Sequence, residues 1–214
     1  MKKLFFLLLF VLYYISTFSQ NLDSTELKII TGSKIIELNE LFKSEEIDYF
    51  KLESKDIKLR NYFFQFSIKE FFDKKLVRND SLLKDYDFDK SKTGYSNTDT
   101  NFIITLMKRN VNRDTSLFIF SFQNTGLRTF IYDKKIPYEN YSTRDFLMSY
   151  EELVNVPIEK TFPLFVYTLP YENPKYPGFK FYCELSKNGV PPEKWMDVYG
   201  VRHLMIIYLT IRKK

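Results

Sequence analysis

Apolar and polar residues alternate along this chain in two rhythms, and each rhythm predicts a different kind of element. Leu4 to Ile15 is an unbroken apolar run, preceded by Lys2 and Lys3 and followed by Ser16-Thr17-Phe18-Ser19. A helix of that length rises about 18 Å, well short of a hydrocarbon core of roughly 30 Å. The pattern predicts a cleaved secretory signal over 1–19, with Thr17 and Ser19 as the small residues before a cut at Gln20. Further on, Leu27 to Thr31 and Ile57 to Phe66 have strand character. Residues 34–52 predict a helix with a break near Lys43-Ser44. Ser67-Ile68-Lys69-Glu70 has the form of a capping box, and Ile68, Phe71, Phe72 and Leu76 then fall on one helical face.

A polar stretch, 85–101, separates these elements from a clearer set. Phe102 to Met107, Leu117 to Phe122 and Leu127 to Tyr132 predict three antiparallel strands, turned at Asn110–Asp114 and at Asn124-Thr125-Gly126. In the middle strand Phe118, Phe120 and Phe122 share one face while Leu117 and Ile119 take the other, so the sheet is expected to be covered at least partly on both sides. Ser142-Thr143-Arg144-Asp145 can cap a helix that aligns Phe146, Tyr150, Leu153 and Val154. Phe162 to Leu169 and Val201 to Ile211 complete the strands. Pro191-Pro192-Glu193 opens a short helix that carries Trp195, read as a core anchor, and ends at Gly200. The class expected is α+β: a mostly antiparallel sheet with a few short helices, in a single domain over 20–214, with 85–101 as the place for any subdivision.

Composition removes several function classes. The 214 residues include one cysteine, one histidine, six glycines and no alanine. One cysteine forms no internal disulfide, and one histidine excludes zinc centres built on several. The glycines are too dispersed for a GxGxxG or GxxxxGK[ST] phosphate loop. The net charge of +5, two units of which lie in the predicted signal, is spread without a basic stripe, so no nucleic-acid partner is expected. No second apolar run reaches membrane length, so no span is expected in the mature chain.

Three places invite chemistry. Cys183 and His203 are the one pair able to make a thiol nucleophile with its base, although each shares its strand face with apolar residues, as core packing does. Asp85, Asp87 and Asp89 mimic the first ligands of a calcium loop, but Lys90 stands where the turn glycine belongs and Ser96 where the bidentate glutamate belongs. No metal and no cofactor are therefore expected. The loop Pro170–Gly178 is stiffened by prolines, and it can present Tyr171, Lys175 and Tyr176 to a peptide or glycan at low entropic cost. Alternatively, both tyrosines fold back as a lid on the core.

Pro174-Lys175-Tyr176-Pro177-Gly178, then Leu185, Asn188, Pro192, Gly200-Val201 and the strand from Leu204 to Ile211, come in a familiar order. Residues 174–211 resemble the opening of the C-terminal domain of TonB-type energy transducers, with Phe179 where that family has a second glycine. The resemblance implies a helix over 179–187 and a truncated TonB-like envelope module that pairs with outer-membrane transporters. The residues themselves predict an exported, periplasmic or extracellular, non-catalytic binding protein of the bacterial cell envelope, with an envelope protein, peptide or glycan as partner. The competing expectation is an envelope hydrolase using Cys183 and His203.

Overall fold

In the computed structural model, the described residues are 23–56, 59, 62–82, 95–96, 101–123, 126–137, 140–147, 152–173, 175–182, 185 and 189–213. The predicted signal over 1–19 and most of the 85–101 stretch, with its three aspartates, lie outside them, as does Cys183.

Two antiparallel sheets account for the fold. The first has the order β10-β1-β2-β6-β7-β8, formed by β1 (Ser24–Thr31), β2 (Asp48–Ser54), β6 (Phe102–Asn110), β7 (Thr115–Phe122), β8 (Gly126–Asp133) and β10 (Val154–Pro157). The second has the order β4-β3-β14-β11-β9, formed by β3 (Phe63–Phe72), β4 (Lys75–Ser81), β9 (Ser142–Asp145), β11 (Thr161–Thr168) and β14 (His203–Arg212). The short β5 (Tyr95–Ser96) also pairs with β3. A separate pair, β12 (Tyr171–Glu172) and β13 (Lys180–Phe181), forms a small hairpin. Helices are confined, among the described residues, to α1 (Ile36–Ser44) and α2 (Trp195–Val198), the latter entered through a 3-10 turn at Pro192–Lys194.

The sheets pack face to face through aromatic rings. Phe64 stacks on Phe102 at 3.9 Å between centroids, Phe50 meets Phe165 at 5.0 Å, and Phe118 meets Tyr167 edge-on at 5.2 Å. Aromatic pairs of this kind add to the area they bury, which is worth about 1.5–3 kcal/mol for each fully buried side chain. Ile158 to Lys160 carries the chain from β10 in one sheet to β11 in the other, and Glu159 takes a positive φ of 62° at that corner. β14 lies between β3 and β11 and is buried on both faces. Its inner face meets the first sheet. Its outer face is covered by the segment around Trp195, which is fully buried and whose indole Nε1 donates to the Val190 carbonyl at 2.9 Å.

The α+β expectation is corrected to a β-rich, two-sheet sandwich, because two predicted helices are strands. The capping-box segment runs through β3, where Phe64, Phe66, Ile68 and Glu70 alternate into the core with period two. Asp73 and Lys74, both at positive φ, then turn the chain into β4, and Leu76 is exposed rather than on a buried helical face. Ser142–Asp145 pairs with β11 instead of capping a helix, and Val154 opens β10 against β1. The helix expected over 34–52 stops at Ser44, and 48–54 is a central strand with Phe50, Leu52 and Ser54 turned inward. The three-stranded meander is as expected, and Phe118, Phe120 and Phe122 are buried together. Its opposite face is more open than expected, with Leu127 and Ile131 exposed on the edge strand.

Candidate functional site

The loop singled out in the sequence is split by the fold. Tyr171 sits in β12 and is buried, packed at 5.3 Å from the Tyr199 ring and 6.1 Å from Phe181. Lys175 and Tyr176 stay outside, and Tyr176 is 57% exposed. Phe179, which the sequence reading had not singled out as a contact residue, is 66% exposed beside it. The loop backbone is tied: the Tyr176 amide donates to the Asn173 carbonyl at 2.8 Å, and the Phe179 amide to the Tyr176 carbonyl at 3.1 Å. The Lys175 amide donates to Asn173 Oδ1 at 3.0 Å. Of the two tyrosines, one is a lid and one is presented. Where the TonB-type resemblance implies a helix over 179–187, Lys180 and Phe181 form β13, while 183, 184 and 186–188 lie outside the described residues.

His203 is fully buried at the start of β14. Its Nε2 lies 3.1 Å from Glu70 Oε1 and 2.9 Å from the Tyr132 hydroxyl, which itself donates to Glu70 Oε1 at 2.9 Å. Both neighbours accept, so the network places the ring proton on Nε2; Nδ1 has no hydrogen-bond partner among the described residues. Burial alone would raise the Glu70 pKa, but the hydrogen bonds from His203 and Tyr132 outweigh it and hold the carboxyl below its ordinary value. Burial, with the Glu70 charge beside it, pushes the Tyr132 hydroxyl strongly upward. Tyr141 closes over the imidazole edge-on at 5.3 Å, and Tyr132 stacks with it at 6.0 Å. The arrangement joins the two sheets through buried side chains, Glu70 and His203 from one and Tyr132 from the other.

Beyond this cluster, a cavity of about 430 Å³ opens at one end of the sandwich. Lys108 from β6 and Lys134 beyond β8 both line it, together with Asp48 of β2, Asn110, Tyr141 and Phe42 of α1. Lys108 Nζ lies 3.7 Å from Asp48 Oδ2 and 5.7 Å from the Tyr167 ring centroid. Lys134 Nζ donates to the Arg113 carbonyl at 2.9 Å. Burial, and next the charge of Lys108, hold the Lys134 ammonium below its ordinary pKa.

The sequence reading missed Glu70 and Lys108, and both carry the same signal. Each continues an alternating apolar series, Phe64-Phe66-Ile68 and Phe102-Ile104-Leu106, one step further with a charge in the inward phase. Among the described residues no group of three or more His, Cys, Asp or Glu can hold a metal ion, and no helix is long and apolar enough to cross a membrane. No protein-family model matches the chain, no curated protein is recognisably similar to it in sequence, and no solved structure matches its fold.

Proposed function

We propose that this chain is an exported, non-catalytic binding protein of the bacterial cell envelope, which engages an envelope protein, peptide or glycan through the loop 173–179. The observation that carries the reading is the pair of aromatic side chains, Tyr176 and Phe179, each more than half exposed on a hydrogen-bonded loop. Aromatic residues held in place lose little entropy when a partner covers them, and they supply most of the binding energy at many interfaces. The burial of His203 speaks for the same reading over the hydrolase alternative, since a general base must reach its substrate.

The test is a crosslinked pull-down of the tagged mature chain, expressed at native level in its host and read by mass spectrometry against a tagged control of similar charge. The expected result is a specific partner whose affinity falls about thirtyfold, roughly 2 kcal/mol, in the Tyr176→Ala/Phe179→Ala double variant, with Tm unchanged. Recovery of the same partner at equal affinity by the double variant would overturn the assignment to this loop. Hydrolysis of envelope material that is lost in Cys183→Ala would overturn the non-catalytic reading.

A further inference from the structure

Lys108 is the most enclosed lysine among the described ion pairs, and it has the loosest partner of them. Its side chain is 4% exposed, and its one described carboxylate neighbour, Asp48, stands at 3.7 Å, too far for a hydrogen bond. The exposed pairs Lys74–Asp197 and Lys43–Glu40 are tighter, at 2.8 and 2.9 Å. Asp48 also receives the Thr143 amide at 3.4 Å. An ammonium carries three donors, and those the protein does not meet fall to water or to a ligand in the cavity. Lys108 Nζ makes no hydrogen bond to a described residue, yet the residue lines an open cavity.

A second ammonium faces the same space. Lys134 is held by the Arg113 carbonyl and lines the same cavity as Lys108. Like charges gathered in one partly desolvated cavity repel unless an anion joins them. The ionisable groups lining the cavity are Lys43, Lys108 and Lys134 against Glu46 and Asp48. That is an excess of one positive charge, since the pair that Lys43 makes with Glu40 outside is exposed and weak. A single carboxylate balances that excess, whereas a phosphate dianion overshoots it and meets Glu46 and Asp48. The volume of about 430 Å³ is within the range of small-molecule sites, and Phe42 and Tyr141 supply apolar and aromatic wall.

We propose that this cavity binds a small carboxylate-bearing molecule whose carboxylate bridges Lys108 and Lys134. The site is separate from the loop 173–179 and stands or falls independently of it. Two sources share the required chemistry, a sugar acid and a peptide C-terminus.

Isothermal titration calorimetry of the purified chain at pH 7 and low salt separates them, with glucuronate and N-acetyl-dialanine as the probes. Glucose, N-acetyl-dialanine amide and inorganic phosphate are the controls. The expected result is saturable binding of at least one carboxylate at millimolar Kd or tighter, at least tenfold weaker binding of its neutral counterpart, and a further tenfold loss in Lys134→Gln at unchanged Tm. Whichever carboxylate binds more tightly identifies the source. Lys108→Met provides a second reading: the enclosed lysine has no tight partner in the free chain, so its replacement is expected to hold or raise Tm while abolishing binding. No saturable binding of either carboxylate would overturn the proposal. So would phosphate binding more tightly than both, carboxylate binding that survives Lys134→Gln, or a lower Tm with intact binding in Lys108→Met.

Discussion

At the scale of single residues, the fold depends on a few positions where chemistry rather than hydrophobicity decides. Glu70 is one. Its carboxyl pKa in the folded state lies below the ordinary value of 4.5, so the unfolded chain binds a proton there more readily than the folded one. The stability this contributes is complete above that value and is lost as the pH falls through the folded pKa. Chemical-denaturant midpoints measured from pH 7 downward are expected to fall in acid, and to fall less steeply in Glu70→Gln. Gly32 is another. It holds a φ of 74°, and a Cβ there would meet Asn39 Oδ1 at 2.7 Å. That oxygen accepts the Ser33 amide at 2.7 Å and so fixes the entry into α1. Gly32→Ala is expected to cost about 1–2 kcal/mol from the backbone alone, with more from the displaced Asn39, read as a lower Tm. Neither role was legible in the sequence. Glu70 fits a capping box as well as a strand, and its partners His203 and Tyr132 lie far away along the chain.

At the scale of elements, local patterns proved reliable where neighbours in sequence are neighbours in space. The meander β6-β7-β8 was readable because each hairpin closes on itself and its inward phenylalanines keep one phase. β9 and the second half of β3 were not, because in β3 a helical spacing of Ile68, Phe71, Phe72 and Leu76 coexists with a period-two series, and only pairing with β14 and β11 selects the strand. The short helical segment around Trp195 was readable from its prolines, and it serves as the cover of the outer face of β14. Tyr208 on that face donates to Glu193 in the preceding 3-10 turn, and Phe146, just past β9, reaches Trp195 at 6.1 Å. Trp195→Ala removes the largest side chain of that cover. It is expected to cost about 3–5 kcal/mol in urea denaturation, against under 1.5 kcal/mol for a volume-conserving exchange such as Ile206→Leu.

At the scale of the whole molecule, the antiparallel meander was readable, but the α+β class was not right, because β2, the second half of β3 and β9 were read as helical, and the partition of strands between two sheets was not visible at all. That partition rests on non-local pairs: β1 with β10, β2 with β6, and β14 with both β3 and β11. The candidate binding loop was half legible for the same reason. Its prolines announced a stiff loop, but only the packing of Tyr199 and Phe181 around Tyr171 decides which tyrosine turns inward. The cavity was not legible at all, since Lys108 lies on β6 and Lys134 just past the end of β8, and both look like ordinary lysines in one dimension.

The place of β14 in the chain has a bearing on how the protein is made. Every strand of the first sheet has been synthesised by Pro157, whereas β3 and β11 wait for His203 to Arg212 to lie between them. A ribosome-bound chain therefore passes through a stage in which one half of the sandwich has its strands and the other has an empty lane down its middle. Chains arrested with only residues up to 202 outside the ribosome should be cut readily by a protease at low dose. Chains with residues through Arg212 outside the ribosome should resist it. The lock is one strand that must enter between two already laid down, so the order of synthesis, and not only the final contacts, decides when the sandwich closes.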